Sequence, residues 1–271
     1  MAQMKKYWHV INIGIQNTLV YRFNFVVRAV FGLVPLAATI FLWRAVFDGN
    51  EGSSTVATYT LAQMISYYLI VTIVDALTAV TDDDWQMASD IREGTISQFM
   101  LKPIDYLCYR FCLFFSGRMI YSVVALVPVG LFILYYRGFF VVPPDIGTLG
   151  WFAVSVVLTA TLQFLISFTM AMLAFWVLEV STFIFILFAV EYIASGHLFP
   201  LDVLPPAISS ALYFTPFPYQ MFFPVSIYLG KTTGAALWQG LAIQAAWVVI
   251  LYGVARLVWS RGIRKYAAFG G

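Results

Sequence analysis

Long uncharged runs alternate with short polar ones along this chain. Apolar stretches occupy about 25–47, 56–80, 117–136, 150–178, 180–197 and 233–257. A helix needs about 20 apolar residues to cross a hydrocarbon core about 30 Å thick. The pattern therefore predicts an all-α integral membrane protein with about six transmembrane helices, forming one domain over residues 1–271. Arg28 and Arg44 bracket the first run and can extend their heads to opposite interfaces.

Three segments depart from simple crossings. Residues 1–22 place Lys5, His9, Asn12 and Gln16 on one stripe, with Met4, Trp8, Ile11, Ile15 and Leu19 beside it. That pattern predicts a helix lying on the membrane surface. The polar stretch from Thr81 to Arg118 holds Asp82, Asp83, Asp84, Asp90, Arg92, Glu93, Lys102, Asp105 and Arg110. Within it, residues 85–105 read as a short helix parallel to the membrane. Pro103 disfavours helical geometry at Lys102, and Asp105 is placed to cap the next helix. Residues 197–231 stay apolar but contain Pro200, Pro205, Pro206, Pro216, Pro218 and Pro224, which forbids one continuous helix. Two short helices near 205–214 and 218–229, the second closed by Gly230, would each cover only about half the core. They predict a re-entrant or surface hairpin between the fifth and sixth spans.

Composition agrees: 62% of residues are hydrophobic, 10% are charged, and the mean hydropathy is +0.86. The distribution of charge says more than its sum of +2. With the N-terminus inside, one side of the membrane receives Lys5, Lys6, Arg22, Arg28, Arg92, Lys102, Arg110, Arg118, Arg256, Arg261, Arg264 and Lys265, and the other only Arg44, Arg137 and Lys231. Retained loops carry the excess Lys and Arg, so both termini and the 85–105 segment are expected in the cytoplasm, and the proline-rich hairpin outside. Dispersed basic residues argue against a nucleic-acid surface. Nothing near Lys5 and Lys6 reads as a cleaved signal peptide.

Catalytic motifs are missing. There is no G-x-x-x-x-G-K-[ST] loop to hold ATP, no H-E-x-x-H helix and no G-x-S-x-G elbow. His9 and His197 fall on opposite sides, and Cys108 and Cys112 read as packing residues, so no metal site is expected. Two acids lie inside spans, Asp75 and Glu191. Charge at mid-bilayer costs roughly 2.5 to 3.5 kcal/mol, which makes both candidates for an intramembrane polar pathway. Asp75 can also be read as reaching the interface.

The order of elements resembles the permeases of type-2 ABC exporters, the ABC-2 family. The resemblance rests on I-R-E-G-T-I-S-Q-F-M-L-K-P-I after the second span, then G-H-L-F-P-L-D-V-L-P-P, T-P-F-P-Y-Q and P-V-S-I-Y-L-G-K after the fifth. It implies a permease subunit that forms half of a translocation pathway and pairs with a second permease, identical or homologous. Two separate ATPase subunits would carry the ATP and Mg, and this chain would need no cofactor of its own. By position, Asp90, Arg92, Glu93, Gly94, Lys102 and Pro103 would belong to the surface that couples to the ATPase. Gly196, His197, Phe199, Pro200, Pro205, Pro216 and Phe217 would belong to an outer gate. The location implied is the cell (inner) membrane, with lipid as the surrounding partner.

Two other classes compete. An ion-coupled secondary transporter would use Asp75 and Glu191 as ion sites and the broken hairpin as a gate. It lacks the internal repeat common in that class. A membrane enzyme would require a polar catalytic cluster, and the sequence offers none.

Overall fold

A computed structural model describes residues 2–20, 22–49, 55–56, 58–80 and 83–269. Residues 50–54 of the first polar connector, with Thr81 and Asp82 at the head of the second, lie outside the described residues, as do the side chains of Met4, Arg22 and Asp83. The helices are α1 (Ala2–Val20), α2 (Arg22–Asp48), α3 (Leu61–Thr78), α4 (Asp83–Arg92), α5 (Ile96–Met100), α6 (Tyr106–Tyr135), α7 (Ile146–Ala171), α8 (Ser181–Ala194), α9 (Pro206–Leu212), α10 (Phe222–Tyr228) and α11 (Gly234–Phe269). Among the described residues five helices are long and apolar enough to cross a membrane, within α2, α3, α6, α7 with its 3-10 extension, and α11. The sixth apolar helix, α8, has only 14 residues, about 21 Å of rise. The chain is thus an all-α integral membrane protein, and the span expected at 180–197 holds a helix shorter than the others.

Capping residues set the boundaries. Thr60 and Gln63 form a capping box at the start of α3. Asp105 accepts from the Cys108 N–H at 2.9 Å to open α6, and Asp145 accepts from the Thr148 N–H at 2.6 Å to open α7. The Asp105 cap begins α6 eleven residues before its uncharged run. At 30 residues α6 rises about 45 Å, more than the thickness of a hydrocarbon core. Likewise α11 runs for 36 residues and carries the basic C-terminal stretch as helix. A small antiparallel pairing of Thr55–Val56 (β1) with Tyr59–Thr60 (β2), which apolar periodicity could not announce, precedes α3.

The bundle has two ends of different character. At one, α4 and α5 lie across the starts of α6 and the ends of α7 and α11. Met87, Ala88, Ile91 and Ile96 are buried there against Tyr106, Leu107, Phe164, Phe168, Met172 and Phe175. α1 packs along the first third of α6 rather than resting on lipid alone, with Gly14 against Ser116 and Leu113. At the other end, the chain from Gly196 to Gly230 folds onto α3. Its core joins Tyr59, Tyr67, Tyr68, Leu201, Met221, Phe222 and Val225. Between the ends, Gln244 of α11 is fully buried and donates to the Ser155 carbonyl, Thr159 Oγ1 and the Tyr219 carbonyl at 2.8 to 3.1 Å. That network fastens α11, α7 and the hairpin together, since a buried amide left unpaired is costly.

Candidate functional site

The α4–α5 segment divides its charges by direction. Asp90 points inward: Arg110 of α6 is ion-paired with it, Tyr106 Oη donates to it at 2.8 Å, and Thr95 Oγ1 donates at 3.2 Å. Arg110 also donates to Tyr106 Oη at 3.0 Å and to Gln86 at 3.4 Å, and its side chain is only 7% exposed. Charge-assisted bonds of this kind are the strong ones. Arg92, Glu93, Lys102 and Pro103, in contrast, are exposed. Glu93 accepts from Ser89 at 2.6 Å, and Lys102 lies 4.8 Å from the centre of the Phe99 ring.

Gly94 separates α4 from α5 at φ +79°, so the expected single helix is two helices with a reversal between them. Tyr266 near the end of α11 donates to the Gly94 carbonyl at 3.4 Å. Asp105, just beyond α5, is ion-paired with Arg256 of α11. Burial pushes the Asp105 carboxyl up, but the Arg256 guanidinium and the cap hydrogen bond outweigh it and hold the group below its usual range. The sequence reading missed Arg110, Tyr106 and Tyr266 as the anchors of this surface. The i, i+4 spacing of Tyr106 and Arg110 directly after a cap is the signal that was available.

The candidate gate residues occupy a loop that reaches inward beside α3. Gly196, at φ +86°, accepts a hydrogen bond from Tyr67 Oη through its carbonyl. A side chain there would fall 2.8 Å from Tyr67 Oη and 2.9 Å from Phe222 Cβ. Tyr68 donates to the Leu198 carbonyl at 2.9 Å and receives the Trp43 N–H at 2.9 Å. Residues 67 and 68 lie about 10 Å along α3 from its start, so this loop sits within the bundle. His197 packs on Tyr192, ring centres 4.5 Å apart. Phe199 and Phe217 are half-buried, Pro200 is buried and leads into a 3-10 turn, Pro205 precedes α9, and Pro216 precedes the Phe217–Tyr219 turn. At the rim Lys231 reaches Thr58 at 2.7 Å and Asp202 at 3.4 Å and stands 2.9 Å from the centre of the Tyr59 ring. Burial lowers the Lys231 ammonium's pKa, and Asp202 opposes that shift.

The two intramembrane acids do not share one site. Asp75 lines a cavity of about 150 Å³ between α2, α3 and α6, together with Thr39, Thr72, Tyr121, Tyr192 and His197. The cavity thus joins Asp75, one turn from the α4 end of α3, to the loop that enters from the other end. Glu191 lies instead beside Gln220, whose side chain is fully buried. Among the described residues no group of three or more metal-ligating side chains occurs.

A bundle of long apolar helices, with an amphipathic segment fastened across one end and a proline-rich loop folded into the other, defines a multi-helix membrane domain. The family comparison gives it a more particular place. The family model described as "ABC-2 family transporter protein" matches residues 33–270, and the chain belongs to that family. No curated protein matches it closely enough to be named as a relative.

Proposed function

We propose that this chain is the permease subunit of an ATP-driven exporter, contributing half of the translocation pathway and taking its motion from separate ATPase subunits. One observation carries the reading: Arg92 at the end of α4 and Glu93 just after it face outward, while Asp90 of α4 is fixed to Arg110 of a spanning helix. A surface built this way can receive a push and pass it to α6, α7 and α11 without yielding. The α4 end is assigned to the cytoplasm, because Lys5, Lys6, Arg256, Arg261, Arg264 and Lys265 cluster on the elements that meet there. Both termini are then cytoplasmic, the membrane is the cell membrane, and the Gly196–Gly230 loop closes the outer end of the path. A second permease, identical or homologous, supplies the other half.

ATP binding draws two ATPases together, α4 and α5 move with them, and the spans shift between states of different substrate affinity. The Asp75 cavity lies between the coupling end and the gate, which suits a place on the path. Isolation of the chain from its native membrane tests this. A co-purifying ATPase and ATP-dependent transport in proteoliposomes support it, whereas transport driven by a proton or sodium gradient without ATP would favour the ion-coupled reading through Asp75 and Glu191.

A further inference from the structure

Helices α6, α7 and α11 meet beside α4 in one apolar cluster. There α6 is pinned to α11 by the Asp105–Arg256 ion pair and by Tyr106 stacked on Trp259, ring centres 4.9 Å apart. Farther along, α11 stays with α7 through Gln244 and through Trp151 against Trp238 at 4.4 Å, while α6 packs with α1, α2 and α3. Between the three helices lies a groove of about 500 Å³ whose exposed surface is apolar. Its walls include Cys108 and Cys112 of α6, Thr161 and Leu165 of α7 and Val249 of α11. Small side chains on α6 and α7 keep it open. Tyr7 of α1 and Tyr252 of α11 also line it.

We infer that this groove holds an acyl chain of an anionic phospholipid from the leaflet at the α4 end. Its place fits, because Cys108 and Cys112 lie in the first two turns of α6, at the α4 end of a helix long and apolar enough to cross the membrane. A groove with an apolar exposed surface accepts hydrocarbon and rejects water. Charge beside the two lining tyrosines selects the headgroup. Lys5 and Lys6 immediately precede Tyr7 and are exposed. Arg256 follows Tyr252 by one turn, and its five N–H donors are not exhausted by Asp105 and Tyr252. Basic residues near a leaflet attract anionic lipid by about 1 kcal/mol each. The occupied groove would wedge α6 at a fixed angle to α11.

The test uses the purified full chain equilibrated with mixed micelles containing equal phosphatidylglycerol and phosphatidylcholine, read by native mass spectrometry. The wild-type chain should retain one phosphatidylglycerol in preference to phosphatidylcholine. Thr161→Phe, which fills the groove, should lower that retention about tenfold, equivalent to about 1.4 kcal/mol. The double variant Lys5→Ala and Lys6→Ala should still hold a lipid but with reduced headgroup preference. Should Thr161→Phe fail to fold, the wild-type cysteines decide the matter: phosphatidylglycerol should slow N-ethylmaleimide alkylation of Cys108 and Cys112 more than phosphatidylcholine does. Equal retention of the two lipids, equal alkylation rates, or loss of a permease dimer in Thr161→Phe with lipid retention unchanged would overturn the inference, the last by giving the groove to a second copy.

Discussion

Asp90 in the last turn of α4 is ion-paired with Arg110, a turn into α6, although the two residues are 20 apart in sequence. The pair lies where the amphipathic segment meets the bundle, and it converts a surface helix into an extension of a spanning one. Arg110→Ala leaves Asp90 without its charge partner in a largely buried position, which costs about 3 kcal/mol. Thermal unfolding of the purified variant should show that loss. The double variant with Asp90→Ala should recover part of it, because no uncompensated carboxylate remains.

Glu93, three residues on, has the opposite character. It is exposed, in the turn after α4, and accepts a hydrogen bond from Ser89 of that helix. Glu93→Ala should therefore leave stability within about 0.5 kcal/mol of the parent. In a reconstituted complex it should let ATP hydrolysis proceed with transport much reduced. Wild-type transport with wild-type hydrolysis would remove Glu93 from the coupling surface.

The reversal at Gly94 depends on a conformation that side chains rarely adopt, φ +79°. Gly94→Ala should cost about 1 to 2 kcal/mol and press on Tyr266, whose Oη lies 3.3 Å from where a methyl group would be. Tyr266→Phe in the parent removes only the 3.4 Å bond to the Gly94 carbonyl and should cost less. Comparing the two melting temperatures separates backbone strain from loss of the clasp.

Asp105 both caps α6 and pairs with Arg256. Its carboxyl is held below its ordinary value of 3.8 despite burial. Its contribution is complete above that value and is lost as pH falls through the lowered native one. Asp105→Asn keeps a good cap and removes the titration, so the variant should be less stable near neutrality and show less of the parent's decline below pH 3.8. Asp105→Ala should lose the cap as well, about 1 kcal/mol more.

Much of the fold is legible in the sequence because lipid forces every crossing to be long, uncharged and internally hydrogen-bonded. The same constraint explains why the proline-rich stretch could be recognised as broken. What stayed hidden depends on contacts between distant segments. Arg110 reads as one more polar residue until Asp90 and Tyr106 surround it. Tyr67 and Tyr68 read as ordinary span residues until Gly196 and Leu198 come within reach of their hydroxyls. Aromatic hydroxyls carry no charge and a tyrosine's ring still fits an apolar run, so apolar periodicity does not record what its hydroxyl will bond. Asp75 is visible as an anomaly, whereas its cavity with Tyr192 and His197 depends on the loop that follows α8.

The central claim is that the α4–α5 surface receives the push of a partner ATPase on the cytoplasmic side. Arg92→Cys, in a chain carrying Cys108→Ser and Cys112→Ser, can be probed with an impermeant maleimide and a bifunctional crosslinker in membrane vesicles of known orientation. The account predicts modification from the cytoplasmic face alone and a crosslinked product containing the ATPase. Modification from the outer face, or position 92 remaining uncrosslinked while the assembled complex transports, would contradict it.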